Sequence, residues 1–201
     1  REVDLARKEK PVVVSMGDLA ASGGYYISCM ADTIVAQPKT ITGSIGVIGI
    51  FMNREDFWGS KTGINFDRIK TGDHSDLLNP NRKMTEEEKL IVQKYVIDIY
   101  DDFVAKVAEG RDMDKVMVDS LGRGRIWSGV QAKERGLVDV LGGMDDAIDI
   151  AAEMAGIENY KLYIMPKYKN PFQRRKDMGA SRVKARLMKN VLEGEYETYK
   201  A

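Results

Sequence analysis

Short apolar, β-branched runs alternate with polar stretches along this chain, and their spacing predicts its elements. Residues 2–10 are charged and helix-compatible. Residues 11–15 (Pro-Val-Val-Val-Ser) and 33–36 (Thr-Ile-Val-Ala) read as short buried strands. Between them lie the small residues 17–24 (Gly-Asp-Leu-Ala-Ala-Ser-Gly-Gly) and then Tyr25 to Ala31, a short buried helix. Three glycines among β-branched residues at 40–50 predict a strand and a tight turn. A helix is expected at 53–62, stopped by Gly63, then a strand at 64–70 and a polar loop through Asn81. Thr85 and Glu88 have capping-box spacing. Val92, Val96, Ile99, Phe103 and Val107 then mark one face of a helix running to Gly110. Further helices are expected at 113–121, from Ser128 through Arg135, and at 144–155. Residues 125–127 read as an extended piece and 160–165 as a strand. The alternation of strands and helices predicts an α/β fold with parallel pairing.

Composition removes several chemistries. The chain has 201 residues, 43% hydrophobic and 31% charged, with zero formal net charge, so no global field draws it to nucleic acid. No run of 18 apolar residues predicts a membrane span. One cysteine, Cys29, excludes an internal disulfide and a cysteine zinc site. One histidine, His74, is the only candidate for a histidine base. Gly43 to Gly49 lack a Gly-Lys-Ser/Thr ending, so they predict no nucleotide loop. Asp67, Asp73 and Asp76 lack EF-hand spacing. No metal and no cofactor is implied. Met16, near Ser22, is a candidate for a groove that accepts apolar peptides, set against an ordinary core role.

The run around Ser22 is the strongest candidate for chemistry. A serine on a tight, glycine-flanked turn between strand and helix exposes its Oγ, and the Gly23 N–H would face a developing oxyanion. Such a donor is worth about 3 kcal/mol when aimed. The plain alternative is a helix cap with glycines that permit close packing. A base is harder to find. His74 sits in a polar loop with no evident orienting carboxylate. A lysine of lowered pKa serves in Ser-Lys enzymes, and Lys39, Lys61 and Lys70 lie near the predicted strands without apolar flanks that compel burial.

Residues 10–28 (Lys-Pro-Val-Val-Val-Ser-Met-Gly-Asp-Leu-Ala-Ala-Ser-Gly-Gly-Tyr-Tyr-Ile-Ser) closely resemble the signal peptide peptidase A, or protease IV, family. So do Ile41-Thr-Gly-Ser-Ile-Gly-Val-Ile48, Lys70-Thr-Gly, Met84-Thr-Glu-Glu-Glu-Lys89, Gly124-Arg-Ile-Trp-Ser-Gly129 and Ala132-Lys-Glu-Arg-Gly-Leu-Val-Asp139. The resemblance covers residues 10 to about 155. It implies the Clp protease/crotonase fold of repeated β-β-α units and a Ser-Lys dyad. Ser22 matches the nucleophile, Ser44 the serine that orients the lysine, and Gly23 one oxyanion donor. It also implies peptide substrates, chiefly signal-peptide remnants, a homo-oligomeric ring, and a parent anchored in the bacterial cytoplasmic membrane with its catalytic part on the extracytoplasmic side.

Two departures qualify this. In short, single-domain members the lysine stands where this chain has Ser75. In long, two-domain members the lysine comes from the N-terminal repeat and the serine from the C-terminal one, the arrangement that Ser75 fits. The family's Asn-Ser-Pro-Gly-Gly-like oxyanion segment would lie before residue 1. The expectation is a serine-nucleophile domain at 1–157, lacking N-terminal strands, and a C-terminal strand with a basic helical extension at 158–201. That extension includes 167–190, with nine Lys or Arg and one acid, for which lipid headgroups are a candidate partner. The isolated chain is expected to be inactive. The alternatives are a pseudoenzyme half serving as scaffold or peptide-binding module, and an acyl-CoA enzyme of crotonase type.

Overall fold

The computed structural model describes residues 1–166, which leaves the basic segment 167–190 outside the described residues. The chain divides into two compact units, 1–158 and 159–201. In the second, residues 160–164 form no strand, and the described side chains are exposed. The strand expected at 160–165 is therefore not formed.

In the first unit, α1 (Glu2–Arg7) leads into β1 (Val13–Met16). The β-branched residues of β1 and β3 (Thr33–Ala36) pair in parallel, Val13 opposite Thr33 through Met16 opposite Ala36. β6 (Val140–Leu141) adds to the far side of β3, again in parallel. Ile34, Val35 and Ala36 are fully buried at the centre of this sheet, as the continuous apolar run of a buried parallel strand requires.

A second sheet carries the candidate chemistry. β2 (Leu19–Ala21) runs parallel to β4 (Ile41–Gly43), with Ala21 opposite Gly43. Consecutive strands therefore divide between the sheets, β1 and β3 in one, β2 and β4 in the other. β5 (Ile126–Ser128) lies antiparallel to β4, a departure from the all-parallel expectation. The turn before β5 causes it: Gly124 N–H donates to the Ile45 carbonyl at 2.9 Å, so the chain enters beside the end of β4 and returns along it.

Helices close the core. α2 (Gly23–Ser28) follows β2, and its Tyr25 is fully buried with the hydroxyl donating to the Leu137 carbonyl at 2.9 Å. α4 (Glu86–Arg111), α5 (Lys115–Leu121), α6 (Gly129–Glu134) and α7 (Met144–Met154) follow. Phe103, Val104 and Val107 of α4 are buried, whereas Val92 and Val96 are half-buried and Ile99 is exposed. The predicted apolar face of α4 thus meets the core only towards its C-terminal end, beside α2 and α5.

The segment between β4 and α4 differs most from expectation. The helix predicted at 53–62 is a single turn, α3 (Glu55–Phe57), continued by a π-helical turn at Trp58–Thr62, with Gly63 in the left-handed region at its end. Residues 64–70 form no strand and are exposed. Their alternation places Phe66 edge-on to Trp58 at 6.4 Å, not into a sheet.

Candidate active site

The register of β2 and β4 sets the site. Ser22 and Ser44 each stand one residue beyond the Ala21–Gly43 pair, at the carboxyl ends of neighbouring parallel strands. That edge of an α/β sheet is where side chains emerge free of the ladder. Ser22 has φ 52° and ψ −117°, a conformation that costs a residue with a Cβ about 1–3 kcal/mol. Two bonds hold it there: the Ser22 N–H donates to the Gly43 carbonyl at 2.9 Å, and the Ser22 carbonyl accepts from Tyr26 N–H at 2.8 Å. The result is an exposed hydroxyl at the mouth of α2. Gly23 opens the helix, so its N–H has no acceptor within it. The space where a Gly23 side chain would stand is open.

Ser44 shares the strain, with φ 50°. Its N–H donates to the Arg125 carbonyl at 2.7 Å, and Gly43 before it has φ 74°. A Cβ on Gly43 would lie 2.7 Å from Cδ1 of Trp127 and 3.2 Å from the Arg125 carbonyl oxygen. Trp127 is itself held: its Nε1–H donates to the Leu121 carbonyl at 3.1 Å, and the Arg135 guanidinium stacks 4.0 Å over its ring. A bulky ring thus seats β4 and thereby both serine turns. The sequence contained this signal, since Gly43 and Trp127 are both in the quoted motifs, but it could not show that the two touch.

Beside Ser22 lies a depression of about 350 Å³, lined by Gly23, Val47, Ile48, Phe103 and others of mostly apolar character. Tyr26 and Asp102 form its polar wall: the Tyr26 hydroxyl donates to Asp102 Oδ2 at 2.7 Å. That bond to a carboxylate holds the Tyr26 pKa above its ordinary value. No lysine or histidine lines the depression among the described residues.

The predicted bases are engaged elsewhere. Lys39 and Lys61 are exposed. Lys70 Nζ pairs with Asp76 at 3.0 Å. His74 stands against α4, with Nε2 3.6 Å from Glu87 and Nδ1 3.9 Å from Glu88. Ser75 is exposed, and its hydroxyl donates to the Gly72 carbonyl at 2.9 Å. Met16 is a core residue, 2% exposed, which removes it from any groove. Cys29 is buried, and burial pushes its thiol up to about 11, so it stays protonated at neutral pH.

The loop 70–82 is organised by charge. Arg82 grips Asp76 through Nε (2.6 Å) and Nη2 (2.8 Å), and Glu88 through Nη1 (2.6 Å) and Nη2. Arg82 and Glu88 are both buried. The Arg82 guanidinium, and after it the Thr85 N–H, hold the Glu88 carboxyl down at about 2. Asp76 is lowered too, by Arg82 first, and the Arg82 guanidinium is raised. Glu88 also completes the capping box with Thr85, as its spacing predicted.

A family model described as peptidase family S49 matches residues 4–158. Among relatives, Protease 4 of Salmonella typhi is 40% identical over 153 residues, 76% of this chain and 24% of that protein. A protein of Enterococcus faecium named for signal peptide peptidase SppA is 44% identical over 139 residues, 69% of this chain and 40% of that one. The chloroplastic serine protease SPPA of Arabidopsis thaliana is 37% identical over 172 residues, 85% of this chain and 25% of that protein. The chain therefore spans about a quarter to two-fifths of the length of these relatives. With its strained serine turn at the carboxyl edge of a parallel strand pair, and this match over most of its length, the chain belongs to peptidase family S49.

Proposed function

We propose that this chain supplies the nucleophile of a serine endopeptidase, with Ser22 Oγ attacking the scissile carbonyl. The observation that carries the reading is the strained backbone of Ser22, which exposes its hydroxyl beside an apolar depression. The Gly23 N–H serves as one oxyanion donor. Ser44, at the end of the neighbouring strand, orients the amine of a lysine that takes the Ser22 proton, giving a Ser-Lys dyad. The depression beside Ser22 contains no basic group among the described residues, so on this reading the lysine comes from outside the described residues, and the isolated chain turns over slowly or not at all. The substrates are peptides with apolar stretches, signal-peptide remnants among them. The working enzyme is a homo-oligomer whose parent is anchored in the bacterial cytoplasmic membrane, with this domain outside it. No helix among the described residues is long and apolar enough to cross a membrane, so on this reading the anchor lies elsewhere.

A second reading is a non-catalytic half that binds peptides or holds the assembly together, favoured by the lack of a basic group in the depression among the described residues. Labelling with a fluorophosphonate probe separates the two. The expected result is label on Ser22 in a longer parent protein, none in its Ser22→Ala variant, and little on the 201-residue chain alone. Absence of label from the parent would favour the scaffold. Strong label on the isolated chain would place a base within it.

A further inference from the structure

The depression beside Ser22 has a charged group in its wall that the nucleophile reading does not use. Its floor is apolar: Val47, Ile48 and Ile99 lie around Phe103. Asp102 stands on α4 one residue before Phe103, with its carboxylate at the wall. Oδ2 accepts the Tyr26 hydroxyl, and no ion pair engages Asp102 among the described residues. Lys106, one turn further along α4, is held by Glu109 at 2.9 Å. The depression therefore offers an apolar surface that ends on a carboxylate with no cation bonded to it.

We propose that Asp102 selects peptide residues with a long apolar stem and a cationic head, lysine or arginine, in the depression beside Ser22. This rests on the reading that a peptide lies across Ser22. The stem of such a side chain covers Val47, Ile48 and Ile99 while its head reaches the carboxylate. The Tyr26 hydroxyl fixes the carboxylate's rotamer, which lowers the cost of ordering it for the incoming cation. A bound peptide excludes water from the depression and so strengthens the attraction. A glutamate in the same place meets a like charge and is rejected. Apolar residues of similar length are accepted by the floor but gain nothing from the wall.

The test is binding, which does not depend on turnover. Fluorescent peptides identical except for one residue (lysine, norleucine or glutamate) are titrated against the 201-residue chain carrying Ser22→Ala, at low salt, and followed by anisotropy. The lysine peptide is expected to bind about fivefold tighter than the norleucine peptide, and the glutamate peptide weakest. Asp102→Asn keeps an acceptor for the Tyr26 hydroxyl and removes only the charge, so it should erase the lysine preference. Tyr26→Phe keeps the charge but loses the bond that fixes its rotamer, so it should reduce the preference without abolishing it. An unchanged lysine-to-norleucine ratio in Asp102→Asn, loss of the preference in Tyr26→Phe, or no binding of any peptide would overturn the proposal. Fluorophosphonate labelling of Ser22 reports separately on the nucleophile, so a failure of one reading is told from a failure of the other.

Discussion

At the residue scale, Ser22, the proposed nucleophile, is a site of stored backbone strain. Its φ of 52° with ψ −117° belongs to a region that residues with a Cβ avoid. The strain persists because the Gly43 carbonyl and the start of α2 grip it from both sides. Ser22→Gly should therefore stabilise the fold by about 1 kcal/mol, the released strain less the greater freedom of glycine in the unfolded chain. That corresponds to a rise in Tm of roughly 2–4 °C for a domain of this size. Ser22→Ala keeps the Cβ and should leave Tm within about 1 °C. A scanning calorimetry comparison of the three proteins checks this. Equal melting of the glycine and alanine variants would mean that the turn carries no strain.

At the element scale, β4 is fixed by its neighbour. Gly43→Ala would force a side chain into the left-handed region and set a carbon 2.7 Å from the Trp127 ring. The two costs sum to roughly 2–4 kcal/mol, a fall in Tm of about 5–15 °C. Trp127→Ala in the same protein should recover part of the loss, so the pair is non-additive in a double-mutant cycle. Full additivity would show that the ring does not press on the strand. The start of α4 is held in another way, by Glu88 facing buried Arg82. Its carboxyl titrates at about 2 in the fold against an ordinary value of 4.5. A folded pKa below the unfolded one means stability that is present above pH 4.5 and lost as pH falls towards 2. Glu88→Gln should lower Tm at neutral pH and flatten the acid limb of the Tm–pH curve between those values. An acid limb of unchanged slope in the variant would rule out Glu88 as its source.

At the scale of the whole molecule, much was legible beforehand. β3 has its expected bounds, the capping box at Thr85 forms as spaced, and Ser128 begins a helix as expected. These signals are local: a β-branched run, a hydroxyl three residues before Glu, a glycine after a helix. The motif around Ser22 likewise pointed to its turn, because small residues, glycine above all, tolerate the backbone conformations and close approach that a tight turn needs. The errors fell where partners decide. Residues 64–70 alternate like a strand, yet among the described residues no neighbouring strand completes the ladder. Ile99 fits the face of α4, but among the described residues nothing packs over that part of the helix and the side chain stays exposed.

What the sequence determined by itself was the family and several elements, β3 and the start of α4 among them, since each is written in contiguous residues and their spacing. Only the tertiary structure decided that Gly43 is there for Trp127, that Lys70 is spent on Asp76, and that Asp102 faces the serine's depression. Those pairs are separated by 6 to 84 positions, and whether two side chains meet over such distances depends on how sheets and helices pack, a property that no single stretch of chain contains.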